Sequence, residues 1–168
     1  MARKGTVTDK DYGYKALQRR LGRLGIGTGP KLSVGILGAD ADKPHQAEAG
    51  AEASGLTIGQ IGEVHEFGLG NNPIRSWLRG FVDENNAKIV VKIRRIAINV
   101  EHGTITPEEG FNLLGLDLVG GIQKRIANGI APPVTAATQA RKGPDKTTAL
   151  INSGQFRSSI SYKVEAGA

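Results

Sequence analysis

The sequence predicts an α+β domain: a small, mostly antiparallel sheet packed against two long antiparallel helices, with extended loop and terminal arms. Three observations carry that expectation. Two long stretches, 76–99 and 107 to about 128, repeat apolar residues at steps of three and four, the period of a helix face. Two short stretches, 31–37 and 160–164, alternate apolar and polar residues, the period of a half-buried strand. Glycine supplies 24 of the 168 residues and aromatics only eight, so turns are many and large anchors few. A chain of this length reads as one domain, 1–168.

The elements follow in order. Residues 1–8 read as a flexible arm. Thr8 then caps a helix whose first turn holds Asp9 and Asp11. Tyr14, Leu17, Leu21 and Leu24 form its apolar face, and Arg19, Arg20 and Arg23 suit its negative carboxyl end. The run 25–30, GIGTGP, stops it. Leu32, Val34 and Ile36 share one face of the first strand. Residues 38–55 are rich in alanine, glycine and acids without periodicity, and predict a projecting loop or hairpin tip. Leu56, Ile58, Ile61 and Val64 predict a short helix over 56–66.

In the first long helix Ile89, Ile93, Ile96 and Val100 form the apolar stripe, with Lys88, Lys92 and Arg95 on the outer face. Gly103 breaks it. Thr106-Pro107-Glu108-Glu109 starts the second: Thr106 caps, Pro107 takes the first helical position and Glu109 completes a capping box. Leu114, Leu118, Ile122 and Ile126 continue as a stripe until Asn128-Gly129. The proline- and threonine-rich run 131–148 predicts a loop or extended arm. Ser153 caps a turn of helix over 154–158. Ile160, Tyr162 and Val164 form the last strand.

Composition narrows the function. There is no cysteine, which excludes a disulfide scaffold, a cysteine zinc site and a cysteine nucleophile. No apolar run reaches the ~18 residues of a membrane span, and the basic start MARKGTVTDK lacks the apolar core of a signal peptide. The net charge of +6 is uneven: residues 33–72 carry one basic and six acidic groups, while both ends are basic. A basic surplus invites a nucleic-acid reading. Opposite-sign patches equally suit head-to-tail contacts between identical subunits.

Motif searches return mostly negatives. Gly25-Gly27-Gly29 follows a helix and precedes a strand, the reverse of a dinucleotide loop. Gly143 to Thr147 lacks the glycine spacing of a phosphate loop. His45, His65 and His102 lack metal-ligand spacing. His65-Glu66 offers an acid–base pair without a nucleophile, and no cofactor site is expected. These negatives point away from an enzyme.

One segment stands out: Val64-His65-Glu66-Phe67-Gly68, followed by Pro73-Ile74-Arg75-Ser76-Trp77-Leu78-Arg79. It predicts an element ending at Gly68, a turn, and a helix starting near Ser76. Phe67, Trp77 and Leu78 pack at that junction. Arg75 and Arg79, four apart, point the same way, and Glu66 pairs with either. HEFG followed by P-x-R-x-W-L-R resembles a family of tailed-bacteriophage virion-morphogenesis, or tail-completion, proteins, where the string commonly reads NEFG…IPARPFLR. Pro73, Arg75, Trp77, Leu78 and Arg79 match, with Ser76 where proline is common. The end of the chain, Ala149-Leu150-Ile151-Asn152-Ser153-Gly154-Gln155-Phe156-Arg157, running on to Val164, resembles the family's PLIDTGQLRNSITYxV. Ala149, Asn152 and Ser153 depart from it mildly, and Pro132-Pro133-Val134 resembles the arm before it. The resemblance covers about 57–165.

The resemblance implies a structural virion protein rather than a catalyst. Family members form a ring, often of six subunits, at the phage neck, where they complete the tail and join it to the head. The partners implied are further copies of the chain, neck proteins on the connector side and tail tube or sheath proteins, in the virion and, during assembly, in the host cytoplasm. His65, Glu66, Phe67, Gly68, Pro73, Arg75, Trp77, Leu78, Arg79, Leu150, Ser153 and Gly154 are the candidate junction and interface residues. Arg19, Arg20, Arg23, Lys88 and Lys92 are candidates to face DNA in the ring lumen or an acidic partner. The alternative reading is a small basic nucleic-acid-binding protein.

Overall fold

In the computed structural model, residues 15, 19, 22, 29–46, 55–142, 148–151 and 154–167 are described. Lys15, Arg19 and Gly22 are helical, and Arg19 Nε donates to the Lys15 carbonyl at 3.2 Å. The rest of the expected first helix and the 1–8 arm lie outside the described residues.

Strand β1 (Lys31–Ile36) pairs antiparallel with β2 (Ile160–Glu165), from Lys31 opposite Glu165 to Ile36 opposite Ile160. Val34 and Ile36 pack against the core on one side of the ladder, as the alternation predicts, and Ile160 is buried within it. Between the strands run α1 (Ala39–Asp42), α2 (Ile58–Phe67), α3 (Arg79–His102), α4 (Pro107–Ala127), α5 (Ala136–Lys142) and α6 (Gln155–Ser158). The architecture is α+β, with a two-stranded antiparallel sheet.

The two long helices end and begin as their sequence dictates. Gly103 closes α3 in the left-handed conformation at φ 72°, returning its N–H to Asn99 and Val100. Thr106 opens α4 with both halves of a capping box: its hydroxyl accepts from the Glu109 amide at 3.1 Å, and Glu109 accepts from the Thr106 amide at 2.7 Å. The short turn makes α3 and α4 an antiparallel pair. Lys92–Asp117 and Arg125–Glu84 ion pairs cross it. Both strands pack on α4. α3 therefore has one main neighbour, and much of its apolar surface stays open. Ile93, expected within the buried stripe, is exposed, as are Val90, Val91 and Ile98.

Glycines set how closely the layers approach. A Cβ on Gly115 would strike the Tyr162 ring of β2. One on Gly121 would lie 2.5 Å from Phe81 Cζ of α3. The core lies between these contacts: Ile58, Trp77, Phe81, Ile122, Ile126, Ile130, Leu150, Phe156 and Ile160 are its buried members.

Two expectations need correction. Residues 38–55 do not project throughout. Ala39–Asp42 is a helical turn packed on α2, close enough that a Cβ on Gly59 would meet Ala41 at 3.1–3.2 Å. Pro44 then bridges Thr57, with amides of His45 and Ile58 each donating at 2.9 Å. Residues 47–54 lie outside the described residues. The 131–148 run is not wholly extended either. Thr135 Oγ1 accepts the Thr138 amide at 3.3 Å and starts α5, which the alanines at 136, 137 and 140 favour.

Adjacent glycines of α4 make a test. Gly121→Ala is expected to cost about 1–3 kcal/mol, because the rigid Phe81 ring must move. Gly120 is exposed, with nothing within 4 Å of an added Cβ. Gly120→Ala is expected to gain about 0.5–1 kcal/mol from helix propensity alone. Urea unfolding of the two variants measures both; equal effects would refute the close α3–α4 approach.

Candidate functional site

The site grows from the carboxyl end of α2. Thr57 and Gln60 form a capping box that fixes where α2 starts. Gly68 ends it in the left-handed conformation at φ 69°. Ile74 then folds back so tightly that a Cβ on Gly68 would lie 2.6 Å from Ile74 Cγ1. Only glycine fits both demands. The reversal is secured by the Arg75 amide, which donates to the His65 carbonyl at 2.7 Å.

That reversal carries the chain past Glu66, which is buried at 5% exposure. Glu66 Oε1 accepts from the Ser76 hydroxyl at 2.7 Å, the Arg79 amide at 3.1 Å and Arg79 Nε at 2.9 Å. Its Oε2 accepts from the Leu78 amide at 3.0 Å. Arg79 Nη2 also donates to the Glu66 carbonyl at 3.1 Å. Leu78, the residue before α3, caps nothing with its own side chain. The Glu66 carboxylate does that work from another helix, at the positive end of the α3 dipole. Burial pushes the carboxyl toward its neutral form. The Leu78 amide, the Ser76 hydroxyl and both Arg79 donors outweigh burial, so the Glu66 pKa lies below the ordinary carboxylate value.

The expected helix start at Ser76 is thus corrected to Arg79. Ser76 still serves the start: its hydroxyl accepts from the Gly80 amide at 2.9 Å while donating to Glu66. In the sequence Ser76 is the expected helix start and a departure from the family string, and neither reading shows these two bonds. Phe67 was expected to pack inside the junction. It is instead 52% exposed, with the Arg79 guanidinium 4.8 Å from its ring centroid. Leu78 packs against the core, and Trp77 is buried, as expected. Trp77 Nε1 donates to the Gly62 carbonyl at 3.0 Å, and its ring meets Phe156 edge-on at 5.2 Å and 86°.

Arg75 and Arg79 do not point the same way, because residues 75–78 are not helical. Glu66 pairs with Arg79, not with Arg75. Arg75 is buried at 5% exposure. Its Nε donates to the Pro132 carbonyl at 2.7 Å and its Nη2 to the Pro133 carbonyl at 3.0 Å. Its Nη1 lies 3.4 Å from His65 Nδ1. His65 and Glu66 therefore meet different neighbours, Arg75 for His65 and the Ser76, Leu78 and Arg79 donors for Glu66, as successive helical residues do.

The second sequence string arrives at the same place. Phe156 stands on α6, Leu150 is a buried core residue at φ 65°, and Gly154 precedes α6 at φ 81°. Gly154, not Ser153, is the α6 cap residue; Ser153 lies outside the described residues. Leu150, Gly154 and Phe156 join His65, Pro73 and Arg75 around a cleft of about 330 Å3. Of the lumen candidates, Lys88 and Lys92 lie one turn apart on α3 and border one groove, and Arg19 is helical. Lys92 is engaged with Asp117, Lys88 is exposed on α3, and Arg20 and Arg23 lie outside the described residues. Among the described residues no cluster of acids and histidines has the makings of a metal site, and no helix is long and apolar enough to cross a membrane.

No family model matches the chain, and no curated protein or solved structure is significantly similar to it.

The lowered Glu66 pKa has a directional consequence. Its contribution to stability is complete above the ordinary carboxylate pKa and is lost as pH falls through the lowered folded-state value. Glu66→Gln is expected to cost about 1–3 kcal/mol at neutral pH, since buried donors lose their acceptor. It is also expected to blunt the loss of stability in acid. Urea unfolding of both proteins from pH 7 down to pH ~3 measures this; identical acid profiles would remove Glu66 from the account.

Proposed function

We propose that the protein is a structural component of the phage neck, forming an oligomeric ring that completes the tail and joins it to the head. The observation that carries the reading is the convergence of the two family-like strings. Sixty residues or more apart in the chain, they meet at one junction, where Trp77 of the first touches Phe156 of the second. The polar residues of the first string are spent on that junction too: Glu66 and Arg79 on the start of α3, Arg75 on the 132–133 carbonyls.

The surface supports an assembling subunit. Val90, Val91 and Ile98 on α3 and Leu113 and Leu116 on α4 are exposed, apolar surface that contacts between copies of the chain would cover. Each strand of the two-stranded sheet leaves one edge unpaired among the described residues, a form that neighbouring chains extend. A nucleic-acid reading draws on one feature of the same helix: Lys88, Arg94 and Arg95 are exposed along α3.

Electron microscopy of particles from the parent phage lacking this gene tests the reading. Filled heads beside detached tails are expected, and overlong tails would assign tail-tube termination in particular. Normal infectious particles would overturn the neck reading. Duplex binding by the purified protein, weakening steeply between about 50 and 200 mM salt, would then favour nucleic acid. Sedimentation of the purified protein is expected to reveal a closed oligomer.

A further inference from the structure

The cleft beside the junction has features that the reading of the junction as structural does not use. It encloses about 330 Å3, the lower end of the range for small-molecule sites. Ile61, Leu150 and Phe156 supply apolar wall, and Thr135, Thr138 and Gln155 supply polar wall. Arg75 lines it as well, and Arg75 is the unusual member. Its guanidinium is taken out of water, yet among the described residues it joins no ion pair. Among the described residues, two carbonyls and an imidazole nitrogen are the hydrogen-bonding neighbours of the guanidinium. Burial lowers the Arg75 pKa, and among the described residues no carboxylate opposes that shift. A buried cation met only by dipoles is electrostatically incomplete, and an anion entering the cleft would complete it.

From this geometry we infer that the cleft binds a single carboxylate carried on a short aliphatic stem, with Arg75 as its charge partner. One positive charge matches a monoanion. The mixed wall matches a side chain that is apolar along its length and charged at its tip. A nucleic-acid backbone fits less well, since phosphate sites on duplexes gather several Lys or Arg residues on an open surface. The carboxylate belongs either to a free small acid or to a glutamate side chain presented by another protein. The inference stands whether or not the protein forms a ring.

NMR titration of the full chain tests it, with ionic strength held constant by sodium chloride. The probes are butyrate, its neutral counterpart butyramide, inorganic phosphate, and a capped Ala-Glu-Ala peptide. Saturable shifts of the Arg75 Nε–H and the Thr138 amide with butyrate, at ~10-fold lower concentration than with butyramide, are expected. Peptide binding tighter than butyrate assigns a protein-borne carboxylate, and the reverse order assigns a free acid. Equal response to butyrate and butyramide, tighter binding of phosphate, or no saturation by any probe would each overturn the inference. Thr138→Phe, which fills the cleft without touching the Arg75 hydrogen bonds, is expected to abolish the butyrate response while leaving the melting temperature near that of the wild type. An unchanged butyrate response in Thr138→Phe would place the binding elsewhere and overturn it. Arg75→Gln is expected to lose the preference for butyrate over butyramide. Should that variant not fold, the wild-type probe series and Thr138→Phe still decide the question.

Discussion

A carboxylate buried at the start of the longest helix organises this molecule. Glu66 belongs to α2, yet it accepts the Leu78 and Arg79 amides that α3 leaves unsatisfied. A helix end buried without acceptors is costly, so α3 cannot sit where it does unless α2 ends near it. The requirement propagates. Gly68 must reverse the chain at once to bring Leu78 back to Glu66, and Ile74 occupies the space a Gly68 side chain would need. Trp77, held between these contacts, is thereby aimed at Gly62 and Phe156. The direction of α3 then sets the direction of α4, and α4 carries the sheet.

The local parts of this arrangement are legible in the sequence. Thr106-Pro107-Glu108-Glu109 announces the start of α4 because all the groups that cap it lie within four residues. The alternation around Val34 and Ile160 announces the strands for the same reason. The start of α3 is not legible in this way. Its cap comes from a residue twelve positions earlier, so a reader searching for a local cap stops at Ser76, three residues too soon. Ser76 is half the answer, since it ties Gly80 to Glu66. The partners of Arg75 were equally hidden: they are backbone carbonyls of Pro132 and Pro133, and a carbonyl has no letter in the sequence. Phe67 misled because aromatic type suggests burial, while its position, one residue beyond the buried Glu66, turns it outward under Arg79.

The periodicity of α3 also promised more than one neighbour can cover. A stripe from Ile89 to Val100 implies burial on one side, and Val100 is buried. Ile93 is not, because α4 meets the helix along a narrow line set by Gly121 and Gly110, where small residues admit Phe81 and Ile96. Close approach along a glycine line brings two helix axes together but narrows the strip each covers. Apolar residues flanking that strip are left open. Under the ring reading they belong to contacts between chains; the hydrophobic pattern in a sequence does not separate such surface from core.

Glu66 and Arg75 are opposite charges on facing segments, both buried, and they do not pair. The reason is that each is already occupied by groups the fold must satisfy. Four donors surround the Glu66 carboxylate, enough to hold it ionised despite burial. Arg75 instead donates to the Pro132 and Pro133 carbonyls and ties that exposed segment to the junction. Were the two joined, the start of α3 and the 132–133 segment would both lose their anchor. Keeping them apart stabilises two junctions instead of one salt bridge. It leaves the Glu66 charge paired with Arg79, while Arg75, which lines the cleft, joins no ion pair among the described residues.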